Sequence, residues 1–435
     1  MEIPRNIDKI LIDWKNTPSR KPILLRGARQ IGKSTSVRSF AKYFDNFLEV
    51  NFETQKEIHV FFEGSINIVA ICEKLSVYYN MPIKAGKTLL FFDEIQHCQA
   101  AISSIRYFYE QFQELHFIAA GSLLEFTLAE IPSFGVGRIR SLFMYPLSFY
   151  EFLGAKNEHK LIELIKKGKL LDAPFHTKLN EYLRIFMIIG GMPEVVSKYI
   201  KGEPLLEIQT VLDDLQASII ADFSKYKKNV PSNRLIEVFE SVVAQSGGKF
   251  NFSKATQNDN HGQVKEALYL LEKAGLIYAV THSSGNGLPL GAEVNSKKVK
   301  YILNDTGIFQ RILGLNLGRF LANNVSDFIN KGTIAETFVG NEIIKNSNPF
   351  TQKRLYYWHR EVSSSNAEVD YLIEKDGEVV PVEVKSSNKG SMQSLFLFMK
   401  EKNTKGIRVS LENFSNLNNI EIIPIYGAGY FLKSV

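Results

Sequence analysis

Ile23-Leu24-Leu25-Arg26-Gly27-Ala28-Arg29-Gln30-Ile31-Gly32-Lys33-Ser34-Thr35 is the stretch on which the reading of this chain turns. An apolar run leads into the pattern G-x-x-x-x-G-K-[ST], and Ser36-Val37-Arg38-Ser39-Phe40 continue in a form compatible with a helix. Strand, glycine-rich loop and helix in that order make a cradle for the phosphates of a nucleoside triphosphate. Two glycines let the backbone bend until successive N–H groups converge, and the helix adds its positive N-terminal end. The expected binding set is Gly27, Ala28, Arg29, Gln30, Ile31, Gly32, Lys33, Ser34 and Thr35, with ATP and Mg²⁺ as ligands. Lys33 would reach the β/γ-phosphates and the Ser34 hydroxyl would sit on Mg²⁺. The alternative is a plain glycine turn between a strand and a helix.

A second stretch narrows the choice. Leu89-Leu90-Phe91-Phe92-Asp93-Glu94 is a short apolar run that ends in two acids. Buried parallel strands have this form, with polar residues only at the carboxyl end where ligands bind. Asp93 is placed to share the Mg²⁺ with Ser34, and Glu94 to orient or deprotonate the attacking water. The alternative for either acid alone is a solvated turn.

Together these two stretches resemble the Walker A and Walker B elements of AAA+ ATPases. Phe117-Ile118-Ala119-Ala120-Gly121-Ser122 looks like the next strand, and the resemblance implies Ser122 as a sensor of the γ-phosphate. Gly137-Arg138-Ile139-Arg140 with Tyr145-Pro146-Leu147-Ser148-Phe149-Tyr150-Glu151-Phe152 is more specific. It resembles a family of prokaryotic AAA+ ATPases that pair this core with a poorly characterised C-terminal domain. Gly190-Gly191-Met192-Pro193 and Asp305-Thr306-Gly307 fit the same family, so the resemblance runs over nearly the whole chain. It implies that Arg138 or Arg140 acts on the γ-phosphate of a neighbouring subunit, and hence a homo-oligomer. An internal salt bridge is the alternative role.

At 435 residues the chain exceeds the roughly 250–300 that one core organises, so several domains are expected. Fifty-two basic against 46 acidic residues leave +6, which permits an anionic partner without demanding one. Cys72 and Cys98 are the only cysteines, which argues against a disulfide scaffold or a zinc site and for a reduced, cytoplasmic setting. No run of about 18 apolar residues occurs, so no membrane span is expected.

The expected organisation is α/β. Residues 1–155 alternate strands and helices as a parallel-sheet ATPase core, and 156–230 read as its helical lid. Residues 231–315 resemble a winged helix, with Val264–Lys273 as third helix and Ile277–Val280 and Val299–Leu303 as the wing. Such modules bind DNA or protein; Lys265 and Lys273 are balanced there by Glu266 and Glu272. Residues 330–435 form the last domain.

That domain carries the second candidate site. Asn366 to Glu374 and Val379 to Lys385 flank Asp376-Gly377, a two-residue hairpin signal. With that loop, Asp370 faces Glu383 and Glu368 faces Lys385 on one side of the hairpin. Val369 with Val384, Tyr371 with Val382 and Ile373 with Val380 form the other, apolar side. Two opposed carboxylates repel unless compensated by Lys385 or by a divalent metal held between Asp370 and Glu383. The hairpin resembles the D-x(n)-E-x-K site of the restriction-endonuclease-like fold, with Glu336 as a further acid. In that reading Asp370, Glu383 and Lys385 are catalytic and the substrate is DNA. The alternative is an inactive, protein-binding module. Arg360, at the end of Tyr356-Tyr357-Trp358-His359, reads as a phosphate contact or a strand-end salt bridge.

Overall fold

The computed structural model describes residues 3–433 except 123, 129–136, 227–229, 257–260, 319–331, 363–365 and 387–389. The chain divides into two compact units. One runs to Tyr145 and includes Pro349–Gln352; the other holds Pro146–Asn348 and the chain from Lys353 onward.

In the first unit the elements are α1 (Asn6–Lys15), β1 (Ile23–Arg26), α2 (Lys33–Phe40), β2 (Asn46–Asn51), α3 (Ile68–Tyr78) and β3 (Thr88–Asp93). They are followed by α4 (Gln99–Gln111), β4 (His116–Ala120), α5 (Leu124–Leu128) and β5 (Arg140–Phe143). Five parallel strands stand in the order β2-β3-β4-β1-β5. A parallel sheet is covered on both faces, which is why β3 reads Leu89-Leu90-Phe91-Phe92 without polar interruption, each side chain fully buried. Phe92, Phe108 and Phe117 lock β3, α4 and β4 together, with the Phe108 and Phe117 rings stacked at 4.1 Å. The carboxyl ends of β1, β4 and β3 are thereby neighbours, and that edge is where open parallel sheets hold ligands.

The second unit begins with helices α6 (Phe149–Ala155), α7 (His159–Lys166), α8 (Ala173–Ile189), α9 (Pro193–Ile200), α10 (Leu205–Asp222), α11 (Ser232–Ala244) and α12 (His261–Lys273). Then come β6 (Ile277–Ser283), β7 (Val294–Leu303), α13 (Thr306–Ile312), α14 (Gly332–Lys345), β8 (Leu355–His359), β9 (Glu368–Lys375) and β10 (Glu378–Val384). The unit ends with α15 (Gln393–Lys402), β11 (Gly406–Ser410), β12 (Ser415–Leu417), β13 (Ile420–Pro424) and α16 (Ala428–Phe431).

Among the described residues of this unit, eight strands form one mixed sheet in the order β12-β13-β11-β10-β9-β8-β6-β7. Here the structure departs from a free-standing wing: β6 pairs in parallel with β8, so the hairpin expected as a wing forms the edge of the sheet that carries β9 and β10. The second helix of the expected module is a single 3₁₀ turn, Phe252–Lys254.

Two motifs singled out by resemblance turn out to form one joint. Buried Asp305 accepts N–H bonds from Gly191 at 2.6 Å, Gly307 at 2.9 Å and Ile308 at 3.0 Å. Gly190 has φ 75°, and a Cβ on it would stand 2.1 Å from Asp305 Oδ1, so only glycine fits. α14 is buried from Ile334 through Ile344, polar residues included, and each of its buried polar groups needs an internal partner.

Candidate nucleotide and acid-cluster sites

The phosphate loop folds as its glycines require. Gly27 has φ 138°, Gln30 φ 61° and Gly32 φ 90°, and a Cβ on Gly27 would stand 2.2 Å from the Met144 carbonyl oxygen. Arg5 holds the loop from outside, donating to the carbonyls of Ile31 at 2.8 Å and Tyr145 at 2.7 Å. α2 starts directly from Gly32 with no side chain capping it, so its first N–H groups remain for an anion.

Lys33 is buried and donates to the carbonyls of Gly27 at 2.9 Å and Ala28 at 2.5 Å. Burial lowers its ammonium to about 8 against the opposing pull of Glu94 and Asp93. Ser34 Oγ donates to Asp93 Oδ1 at 3.0 Å, joining the loop to the end of β3. Burial raises the Asp93 carboxyl, with the Ser34 bond opposing. A hydroxyl and a carboxylate oxygen this close, beside a phosphate cradle, fit Mg²⁺, which binds through few protein oxygens plus phosphate and water.

Glu94 follows in the left-handed region at φ 48°, which swings its side chain out of the strand direction. Its Oε2 accepts from Gln96 Nε2 at 2.5 Å and Ser122 Oγ at 3.1 Å, and Arg29 Nε donates to Ser122 Oγ at 3.2 Å. Burial works against the Glu94 charge, but the bonds from Gln96 and Ser122 and the Lys33 ammonium outweigh it and hold the carboxyl below its usual range. The sequence reading had placed Ser122 here but not Gln96, which has no pattern of its own. Arg138 pairs with Glu110, its Nε 2.5 Å from Glu110 Oε1, while Arg140 stacks on Phe350 at 5.1 Å.

The second constellation lies on the eight-stranded sheet. The β9–β10 hairpin follows the expected register from Glu378 opposite Lys375 to Val382 opposite Tyr371, with Asp376 and Gly377 both at positive φ. The ladder ends there, so the expected Asp370–Glu383 and Glu368–Lys385 pairs are not ladder pairs, and Glu368 pairs with Lys300 instead. The expected apolar side requires one correction. Between β8 and β9 the register slips, Tyr356 facing Leu372 but Trp358 facing Val369, so β9 carries an extra residue there. This bulge breaks the alternation and puts Val369 into one apolar cluster with Leu372, Val379, Trp358 and Phe398. Asp370 Oδ2 accepts the Val384 N–H at 2.7 Å, a side chain standing where a ladder bond would be.

Around Asp370 lie Glu383, Lys385, Glu336 from α14 and Glu368. Lys385 Nζ donates to Glu383 Oε1 at 2.6 Å, and Glu383 Oε2 is buried without a hydrogen-bond partner. Burial, then the Asp370 charge, pushes the Glu383 carboxyl well above its usual range. The sequence reading missed Lys300 of β7. Only 1% exposed, it donates to Glu336 Oε1 at 3.1 Å, forms an ion pair with Glu368 and lies 5.0 Å over the Tyr357 ring. No periodicity marks Lys300, because on an edge strand a lysine between apolar residues reads as the solvent side.

Among the described residues no three His, Cys, Asp or Glu side chains form a group able to hold a metal ion. Two carboxylates with an unpartnered buried oxygen nonetheless suit a cation that completes its shell from water and phosphate. Arg360 pairs with Glu401 at 2.7 Å, a strand-end salt bridge. No helix among the described residues is long and apolar enough to cross a membrane.

Comparison with known proteins agrees with the first site. The AAA domain family matches residues 19–153, and two domains of unknown function, DUF8612 and DUF4143, match 180–318 and 331–426. An uncharacterised protein of Haemophilus influenzae is 25% identical over 338 residues, 73% of this chain and 75% of that one. Among solved structures, the Aeropyrum pernix ORC1 protein in complex with DNA is 12% identical, covering 71% of this chain and 90% of that one, with a TM-score of 0.28. The Thermotoga maritima RuvB Holliday junction branch migration motor is 15% identical, covering 67% and 92%, with a TM-score of 0.30. Residues 19–153 are similar to an AAA domain, and Gly27 to Ser34 have the backbone form of a phosphate-binding loop.

Proposed function

We propose that the chain is an ATP-hydrolysing AAA+ switch whose second unit acts on the phosphodiester backbone of DNA with a divalent cation. The observation that carries the first half is the 3.0 Å contact of Ser34 with Asp93 beside an uncapped α2. Mg²⁺, where bound, would supply positive charge against the negative charge that develops on the phosphates. Lys33, drawn off the Gly27 and Ala28 carbonyls, binds the same phosphates. Ser34 and Asp93 hold the cation's protein side. Glu94, released from Gln96 and Ser122, orients the attacking water and accepts its proton. Arg138, leaving Glu110, serves a neighbouring copy.

The second half rests on Asp370, Glu383 and Lys385 standing at one end of the β9–β10 hairpin. Asp370 and Glu383 would hold a divalent cation that polarises a phosphate. Lys385, about a quarter exposed, is free to turn from Glu383 to the attacking water. The 231–315 segment is a candidate DNA contact, since its strands β6 and β7 belong to the same sheet.

A second reading has its own observation. Lys300 bridges Glu336 and Glu368 inside the protein, as a structural ion network does, and this favours a regulatory ATPase whose last domain binds a protein partner.

The full chain incubated with supercoiled and single-stranded DNA, Mn²⁺ or Mg²⁺, and with or without ATP separates the readings. Nicking that Asp370→Asn abolishes, with phosphate release intact, supports the first. Phosphate release without nicking under any condition favours the second.

A further inference from the structure

The acid cluster holds four carboxylates, and they are not equivalent. Glu336 and Glu368 meet on the Lys300 ammonium, which crosses from β7 over the Tyr357 ring. A buried ammonium or carboxylate is costly to keep unless paired, and these three groups satisfy one another. Asp370 and Glu383 are left with single partners, the Val384 N–H and the Lys385 ammonium. Glu383, 5% exposed, keeps one oxygen buried and unpartnered.

We infer that Lys300 stands where a second divalent cation would otherwise be needed, so that this cluster binds one divalent cation, on Asp370 and Glu383. The inference rests on reading the cluster as a cation site. Charge supports it: with all four carboxylates ionised, as a bound cation favours, they leave −2 against the two ammonium groups, which one divalent cation cancels and two would overshoot. Geometry supports it as well. Two-metal sites need carboxylates shared between ions about 3.5–4 Å apart, and here Glu336 and Glu368 are already spent on a fixed cation. Lys300 is therefore a positioning residue. It holds two acids out of the coordination shell and places a permanent positive charge beside Asp370.

Mn²⁺ titration of the nucleotide-free full chain, followed by calorimetry and by the electron-spin signal of free Mn²⁺, tests this. A Ser34→Ala, Asp93→Asn background removes any cation at the phosphate loop. One Mn²⁺ per chain is expected, weakened at least tenfold by Glu383→Gln but changed less than threefold by Glu336→Gln. Lys300→Met is expected to admit a second Mn²⁺. Two ions bound without that substitution, or a Glu336→Gln loss equal to that of Glu383→Gln, would overturn the assignment of Lys300. No Mn²⁺ bound at all would sink the cation reading itself, a distinguishable result. Should Lys300→Met fail to fold, stoichiometry and the Glu336→Gln comparison decide alone.

Discussion

Glu342 lies fully buried on α14, where its Oε1 accepts the Phe149 N–H at 3.1 Å. Burial pushes its carboxyl up to about 7, against the opposing charge of Lys345 and the bonds from Phe149 and Asn346. In the unfolded chain the same group titrates near 4.5. The native state therefore holds a proton that the unfolded state releases between those values, and stability falls as pH rises from about 4.5 to about 7. The contribution is at most on the order of 3 kcal/mol. Burial also raises Glu336 and Glu383, so denaturation midpoints at pH 5.5 and 7.5 should fall in both wild type and Glu342→Gln, and fall further in wild type. Equal slopes would mean that Glu342 is ionised inside the protein.

Lys33→Ala should abolish tight ATP binding, because it removes the buried cation that in our proposal leaves the Gly27 and Ala28 carbonyls for the phosphates. Glu94→Gln should keep ATP affinity while slowing phosphate release by about 10²–10⁴, the usual weight of a general base. Fluorescent-nucleotide binding and single-turnover hydrolysis read the two separately. Full hydrolysis in both variants would remove the ATPase assignment.

Arg138 and Glu110 offer a test of action between subunits. An arginine supplied in trans is worth about 10³–10⁵ in rate in the GTPase case. Arg138→Ala should lower turnover to that degree, whereas Glu110→Ala should leave it equal or faster. Turnover per chain should also rise with protein concentration. Small, matching losses in both variants would instead mark an internal ion pair.

Gly190→Ala should destabilise the second unit by about 3 kcal/mol or more, since φ 75° and the Asp305 carboxylate both exclude a Cβ. Asp305→Ala should cost about 1–3 kcal/mol for each of the N–H groups of Gly191, Gly307 and Ile308 left unpaired. Trp358 is buried in that unit and is one of two tryptophans, so Trp14→Phe makes its fluorescence a specific reporter of urea unfolding. Unchanged midpoints would show that the Asp305 joint does not hold the unit together.

Some of this was written in local sequence. Gly27, Gly32, Lys33 and Ser34 specify a backbone path that few other residues permit. Leu89 to Asp93 read as a buried strand because no exposed strand is apolar on both faces. Asp376-Gly377 set the β9–β10 register, since a two-residue turn with both φ positive admits one pairing.

What lies across a sheet or beneath a helix is not local, and there the chain's pattern is silent. Alternation placed Val369 opposite Val384 on an apolar face, but a bulge selected by the pairing with β8 turned it elsewhere. Gly190-Gly191 and Asp305 are far apart in the chain, and only folding makes them one joint. Lys300 belonged, by sequence, to a separate hairpin. Its meeting with Glu336 and Glu368 depends on β6 pairing with β8, a contact between distant segments whose energy resides in the assembled sheet and in no single stretch of chain.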